Sequence, residues 1–185
     1  CRAGDYSKQF AAALSIKAYP AMTYQGLLDS LNSLRMEYTI TQSFRFYDRY
    51  LAKTRLRDQQ QDMQQTKEES NRQTEQIDEA FEEAASGDAG YGQHHFSLMC
   101  YADSQEQLNH HVGEIIALFS DRDIVCIRED VGCECAFWAQ LPGNFAYIVR
   151  AAEISTKNMA AFASLHNDPV GQMQGNFWGN AVTVL

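Results

Sequence analysis

The sequence has no run of 18 apolar residues, so no segment of it reads as a membrane-spanning helix. Only three prolines and no low-complexity block argue against a disordered tail. Cations are scarce: 15 Lys and Arg stand against 24 Asp and Glu, for a formal charge of −9. Phosphate binding needs a surplus of cations on at least one face, so direct nucleic-acid binding is not expected. The motifs G-x-x-x-x-G-K-S/T, G-x-S-x-G and H-E-x-x-H are all absent. An initiating Met is also lacking. The chain opens Cys1-Arg2-Ala3 with no signal-peptide pattern, and it reads as a piece of a longer protein.

What remains is ordinary for a globular chain: 185 residues, 45% hydrophobic and 21% charged, enough for one good domain or two very small ones. Five cysteines (Cys1, Cys100, Cys126, Cys133, Cys135) make an odd count, and free thiols in a reducing compartment are the expectation. Cys133 and Cys135 form the one close pair, but a one-residue spacer without a second pair is a weak metal signal. The histidine doublets His94-His95 and His110-His111 diverge on either a helix or a strand, so neither doublet chelates one metal alone.

Alternation predicts three strands. Phe10, Ala12, Leu14, Ile16 and Ala18 face inward on the first, which Pro20 ends. On the second, Met36, Tyr38, Ile40, Phe44 and Phe46 oppose Glu37, Thr39, Thr41, Ser43 and Arg45. On the third, Phe96, Leu98, Cys100 and Ala102 oppose His95, Ser97, Met99 and Tyr101. Between the first two, a helix capped by Thr23 is expected to carry Tyr24, Leu27, Leu28, Leu31 and Leu34 on one stripe. After the third, Ser104 and Gln107 resemble a capping box for a helix with Leu108, Val112, Ile115, Ile116 and Phe119. Ile124–Ile127 makes a short fourth strand. Two strand–helix–strand units in tandem predict an α+β fold: a ferredoxin-like two-layer sandwich over residues 8–130, with 131–185 as a mixed C-terminal extension.

Residues 47–88 must leave the sheet and return to it. A single helix of that length would run roughly 60 Å and strand its far end. Basic Arg45, Arg49, Lys53, Arg55 and Arg57 precede acidic Glu75, Asp78, Glu79, Glu82 and Glu83, so a helical hairpin pairing the two arms is expected. Its apolar positions are Tyr50, Leu51, Leu56, Met63, Ile77 and Phe81. Gly87, Gly90 and Gly92 read as the turn after this arm; no Lys accompanies them and a strand follows, so they are not a phosphate loop. Further on, Phe137–Leu141 suggests a short helix, Pro142-Gly143-Asn144 a turn, and 145–152 an apolar stretch without a clear period. Thr156 is expected to cap a helix through Met159, Phe162 and Leu165. Residues 167–179 read as loop and Ala181–Leu185 as a strand.

No catalytic, cofactor-binding or metal-ligating residue is assigned. Carboxylates cluster on the solvated arm, Ser164 and His166 suggest no triad, and the aromatic pairs Phe137-Trp138 and Phe177-Trp178 read as core under long loops. Cys133 and Cys135 with a histidine remain as a metal-site alternative.

Several stretches together resemble the type IV secretion ATPases, the CagE/TrbE/VirB component of conjugation and effector-export machines. They are Leu14–Pro20, Glu37–Phe44 with its T-Q-S-F strand, Ala136–Asn144 with its L-P-G-N turn, Leu165-His166-Asn167, and Gly175–Val182 with its G-N-x-W-G loop. The resemblance implies a bacterial, cytoplasmic protein held peripherally at the inner membrane. It implies that ATP and Mg belong to a motor region downstream, with no cofactor in these residues. It further implies a non-catalytic assembly and docking region that contacts other secretion-complex proteins and copies of itself. The alternative is a stand-alone ferredoxin-like domain that binds a partner or small ligand.

Overall fold

The computed structural model describes residues 9–66, 80–83 and 86–163. In chain order these form β1 (Phe10–Ala18), a 3-10 turn (Asp29–Ser33), β2 (Tyr38–Phe46), α1 (Arg49–Thr66), β3 (Tyr91–Ala102) and α2 (Gln105–Ser120). Then come β4 (Val125–Glu129), α3 (Cys133–Ala139), a 3-10 turn (Phe145–Tyr147), β5 (Ala152–Ser155) and α4 (Thr156–Ala163). This is an α+β protein on a five-stranded antiparallel sheet. The strand order is β2-β3-β1-β4, and β5 pairs with β3. Twelve-residue β3 serves two partners on one edge: residues 91–94 hold β5 and 97–102 hold β1.

Period-two alternation divides the sheet into two unlike faces. The even-numbered side chains Leu14, Ile16, Phe96, Leu98 and Cys100 meet Leu108, Val112, Ile115 and Phe119 of α2 in the main core. Burial of each such Leu, Ile or Phe contributes about 1.5–3 kcal/mol. The capping box forms: the Ser104 hydroxyl accepts from the Gln107 N–H at 3.2 Å and starts α2.

The helix expected after Thr23 is instead a set of turns and one 3-10 turn. Gly26 adopts φ +80°, which a right-handed helix cannot hold. Thr23 gives its hydroxyl to Asn158 at 3.0 Å rather than to a cap. Leu27, Leu28 and Leu31 still reach the core. Beyond residue 130, α3 covers part of the odd-numbered face, packing Ala136 on Ala13 and Met99.

Gly92, expected in a turn, lies inside β3. A Cβ there would strike the Arg45 carbonyl and stand 2.7 Å from the Phe44 ring, so the close packing of β2 on β3 requires glycine. β5, which was not expected, begins at Ala152, the last residue of the stretch that showed no period. Ser155, not Thr156, caps α4, accepting from the Asn158 N–H at 3.1 Å. Thr156 instead clamps Gly90, accepting from its N–H at 3.0 Å and donating its own N–H to the Gly90 carbonyl at 2.8 Å.

The arm leaves the sheet where Asp48 caps α1, its carboxylate accepting from the Leu51 N–H at 2.8 Å. It comes back beside its starting point, since the Tyr47 N–H donates to the Tyr91 carbonyl at 2.8 Å. Residues 80–83 are helical, and the Arg57 guanidinium sits 5.5 Å over the Phe81 ring. Three of the acidic residues expected to pair with the basic arm, Glu75, Asp78 and Glu79, lie outside the described residues. At the base of the arm, Arg55 pairs with Glu153 of β5 at 3.5 Å, and Glu83 pairs with Lys157 of α4 at 2.7 Å. The tip expected near Thr66–Asn71, together with Ile77, Glu75, Asp78, Glu79, Ser164, His166 and the Gly175–Val182 motif, lies outside the described residues.

Candidate binding cavity

The odd-numbered face of β2 and β3 is polar where α3 does not reach. In the strand register Ser43 stands opposite His95, and Arg45 stands opposite Gln93. Above them passes the segment 145–151. Together they enclose a cavity of about 660 Å³ lined by Ser43, Phe44, Arg45, Gln93, His95, Phe145, Ile148, Val149 and Ala151. The volume lies within the range of small-molecule sites.

The roof is tied down at its distal end. Arg150 donates to the carboxylate of Glu129, which is buried on the same odd-numbered face of β4. Two residues later the chain enters β5 and joins β3. An ion pair on a buried carboxylate costs several kcal/mol if one partner is removed, so the roof has a defined position.

His95 is the most unusual group in the lining. It is only 4% exposed, and its Nδ1 has no hydrogen-bond partner among the described residues. Burial pushes its pKa below the ordinary histidine value, so it is neutral at pH 7. Arg45 lies at the exposed rim, with no carboxylate in ion-pair range among the described residues. Glu153 stands across from Gln93 on β5, but it is engaged by Arg55 and by the Tyr47 hydroxyl at 2.9 Å.

His94, on the opposite face of β3, shows what a satisfied buried histidine looks like. The Tyr19 hydroxyl donates to its Nδ1 at 2.8 Å, and its Nε2–H donates to the Gln42 Oε1 at 3.0 Å. Gln42 in turn gives its amide to the Phe162 carbonyl at 2.8 Å, which fixes the amide orientation and hence the histidine tautomer. Burial first, then the neighbouring His95, lowers the His94 pKa to about 4. The network joins β1, β2, β3 and α4. His94 is therefore structural.

A second feature adjoins the cavity. Phe137, Trp138, Leu141, Phe145, Tyr147 and Val149 are all exposed, Phe145 at 68% and Trp138 at 40%. The expectation that Phe137 and Trp138 form core is corrected: α3 is short, and it buries Ala136 and Ala139 instead. Gly143 at φ +91° turns the chain after Leu141. The result is an apolar band across α3 and the roof.

Among the described residues, no three His, Cys, Asp or Glu side chains converge to hold a metal. Cys100 and Cys126 are buried free thiols, Cys133 is half-buried and Cys135 exposed. No helix among the described residues is long and apolar enough to cross a membrane. Sequence reasoning placed Ser43, Arg45 and His95 on the correct strand faces. It missed that a later segment closes over them, because 145–151 carries no periodic signal.

The chain belongs to the CagE, TrbE, VirB family, a component of the type IV transporter system, whose family model matches residues 3–150. Among its relatives is the type IV secretion system protein virB4 of Bartonella quintana, 35% identical over 181 residues and 98% of this chain. Protein virB4 of Rhizobium radiobacter is 35% identical over 91% of the chain, and virB4 of Brucella suis 32% identical over 96%. The chain spans 23% of the Bartonella protein's length and 21% of each of the other two.

Proposed function

We propose that this chain is a non-catalytic assembly and docking region of a type IV secretion ATPase. ATP hydrolysis, with its Mg, is carried by another part of the parent protein. The partners are other subunits of the secretion complex and copies of the same protein at the cytoplasmic side of the inner membrane. Membrane contact is peripheral and made through that complex. No cofactor and no nucleic acid are bound by these residues.

One observation carries this reading. Six large apolar side chains, Phe137 to Val149, are exposed within thirteen residues across α3 and the roof. Soluble proteins rarely leave such a band open unless a partner covers it. We also read the β2-β3-β1-β4 order as a ferredoxin-like core over 8–130, carrying the arm at 47–88 and the 131–185 extension. In that reading one of the two crossover helices is reduced to a 3-10 turn.

The test uses the whole parent protein. Leu141→Ser with Phe145→Ser should weaken its co-sedimentation with the assembled secretion complex at least tenfold and leave its ATP hydrolysis rate unchanged. Unchanged association, or loss of ATP turnover with association intact, would refute the reading.

A further inference from the structure

β2 ends the sheet, and its odd-numbered residues bond inward to β3. The Tyr101 N–H donates to the Glu37 carbonyl at 3.0 Å, and the Tyr47 N–H to the Tyr91 carbonyl at 2.8 Å. Antiparallel ladders alternate, so the N–H and C=O groups of Tyr38, Ile40, Gln42, Phe44 and Phe46 point outward. No strand meets them among the described residues. Open edges are usually blunted by shortness, a bulge, proline or lysine. The opposite edge, β4, is five residues long, and its register with β1 shifts between Ile16 and Ala18. β2 has none of these devices: it runs nine residues in unbroken register with β3, without Pro, Gly or Lys.

We propose that the outer edge of β2 pairs antiparallel with the same edge of a second copy of this chain, centred on Thr41, so that two sheets become one. The proposal rests on the reading that copies of the protein are partners, and it gives that contact a surface separate from the exposed band.

Self-complementarity selects the occupant. A two-fold dimer lays the same strand against itself in the opposite direction. With Thr41 on the axis, Glu37 stands opposite Arg45 of the second copy, Thr39 opposite Ser43, and Thr41 opposite itself. These odd-numbered pairs exchange no hydrogen bonds across the junction, so their side chains are the closer set, with Cβ atoms about 4.5–5.5 Å apart. Glu37 and Arg45 are both exposed, and neither is in an ion pair among the described residues. The dimer gives them two. On the even-numbered face the Phe44 and Phe46 rings stack edge-on at 4.9 Å, with Phe46 71% exposed. They stand opposite Tyr38 and Met36 of the second copy. A slip of two residues one way sets Glu37 against Tyr47 and Arg45 against Thr39. The other way sets Glu37 against Ser43 and Arg45 against Arg35. The Thr41 register is therefore the one that answers both charges. A strand from an unrelated protein has no cause to match this spacing.

The experiment is sedimentation velocity on the full chain, from about 1 to about 300 μM, where a monomer–dimer equilibrium with a Kd on the order of 10 μM is expected for so small an interface. Arg45→Glu and Glu37→Arg should each weaken dimerisation at least tenfold, because two-fold symmetry turns both ion pairs into like-charge pairs. Mixing the two variants should restore association, since each junction in the mixed dimer again joins opposite charges; the same result shows that both variants fold. In a Cys1→Ser, Cys133→Ser, Cys135→Ser background, Thr41→Cys should form a disulfide-linked dimer under oxidation, and Ser43→Cys should not. A chain that stays monomeric throughout the range would overturn the proposal. So would dimerisation that neither charge reversal weakens or that mixing does not restore. Dimerisation unchanged in both variants would remove this surface while leaving self-association in place, and the secretion-complex contact of the exposed band is read by its own variants.

Discussion

Acidification should unfold this protein through His94. The imidazole is fully buried between Tyr19 and Gln42, and burial followed by the neighbouring His95 gives it a folded pKa of about 4 against 6.5 in an unfolded chain. A depressed pKa means that the unfolded state takes up the proton first. The stability is therefore complete above pH 6.5 and is lost progressively between 6.5 and 4, at about 1.4 kcal/mol per pH unit. For His94 the whole loss comes to about 3 kcal/mol. That is a large share of the 5–15 kcal/mol typical of a domain. His95 acts in the same direction, because burial lowers its pKa too. The His94→Gln variant separates these contributions, since it can still accept from Tyr19 and donate to Gln42 but does not titrate. Urea unfolding from pH 7.5 to 4.5 should show a fall in stability about 3 kcal/mol larger in the wild type than in His94→Gln. Equal pH dependence in the two proteins, or a native His94 imidazole titrating near 6.5 by NMR, would refute the reasoning.

Other substitutions test particular joints. Gly92→Ala should cost about 1–3 kcal/mol in urea unfolding, because its Cβ meets the Arg45 backbone and the Phe44 ring. Arg150→Gln, which leaves the buried Glu129 carboxylate without its counter-charge, should cost about 3–5 kcal/mol and speed amide exchange along 145–151. Ser104→Ala should cost about 1 kcal/mol by removing the α2 cap, without altering the cavity. Glu153→Gln breaks an exposed pair with Arg55. It should change global stability by less than about 1 kcal/mol while raising amide exchange at the base of α1.

The strands of the sheet were legible from alternation of side-chain type. Leu14, Ile16, Leu98 and Cys100 alternate with smaller or polar residues and went to the main core, although β1 and β3 are buried on both faces and Phe46 of β2 is exposed. The α2 start was legible for a local reason, the Ser104–Gln107 pair. The first crossover was misread because Leu27, Leu28 and Leu31 fit a helical stripe, whereas the backbone at Gly26 excludes that helix. β5 is four residues long and is held by register with β3, not by any alternation of its own. Nothing in the sequence announces that Glu153 and Lys157 arrive at the base of the arm to pair with Arg55 and Glu83. The cavity was invisible for the same reason. Ser43, Arg45 and His95 were placed only on the strand faces opposite the apolar ones, and nothing in the sequence lays the segment 145–151 across them.

The most direct test of the docking account is hydrogen exchange of this chain, alone and with the assembled secretion complex lacking its own copy of the family protein. The account predicts slowed exchange concentrated in 133–149, with α2 unchanged. Protection confined to the outer face of α2, or no protection anywhere at saturating complex, would contradict it.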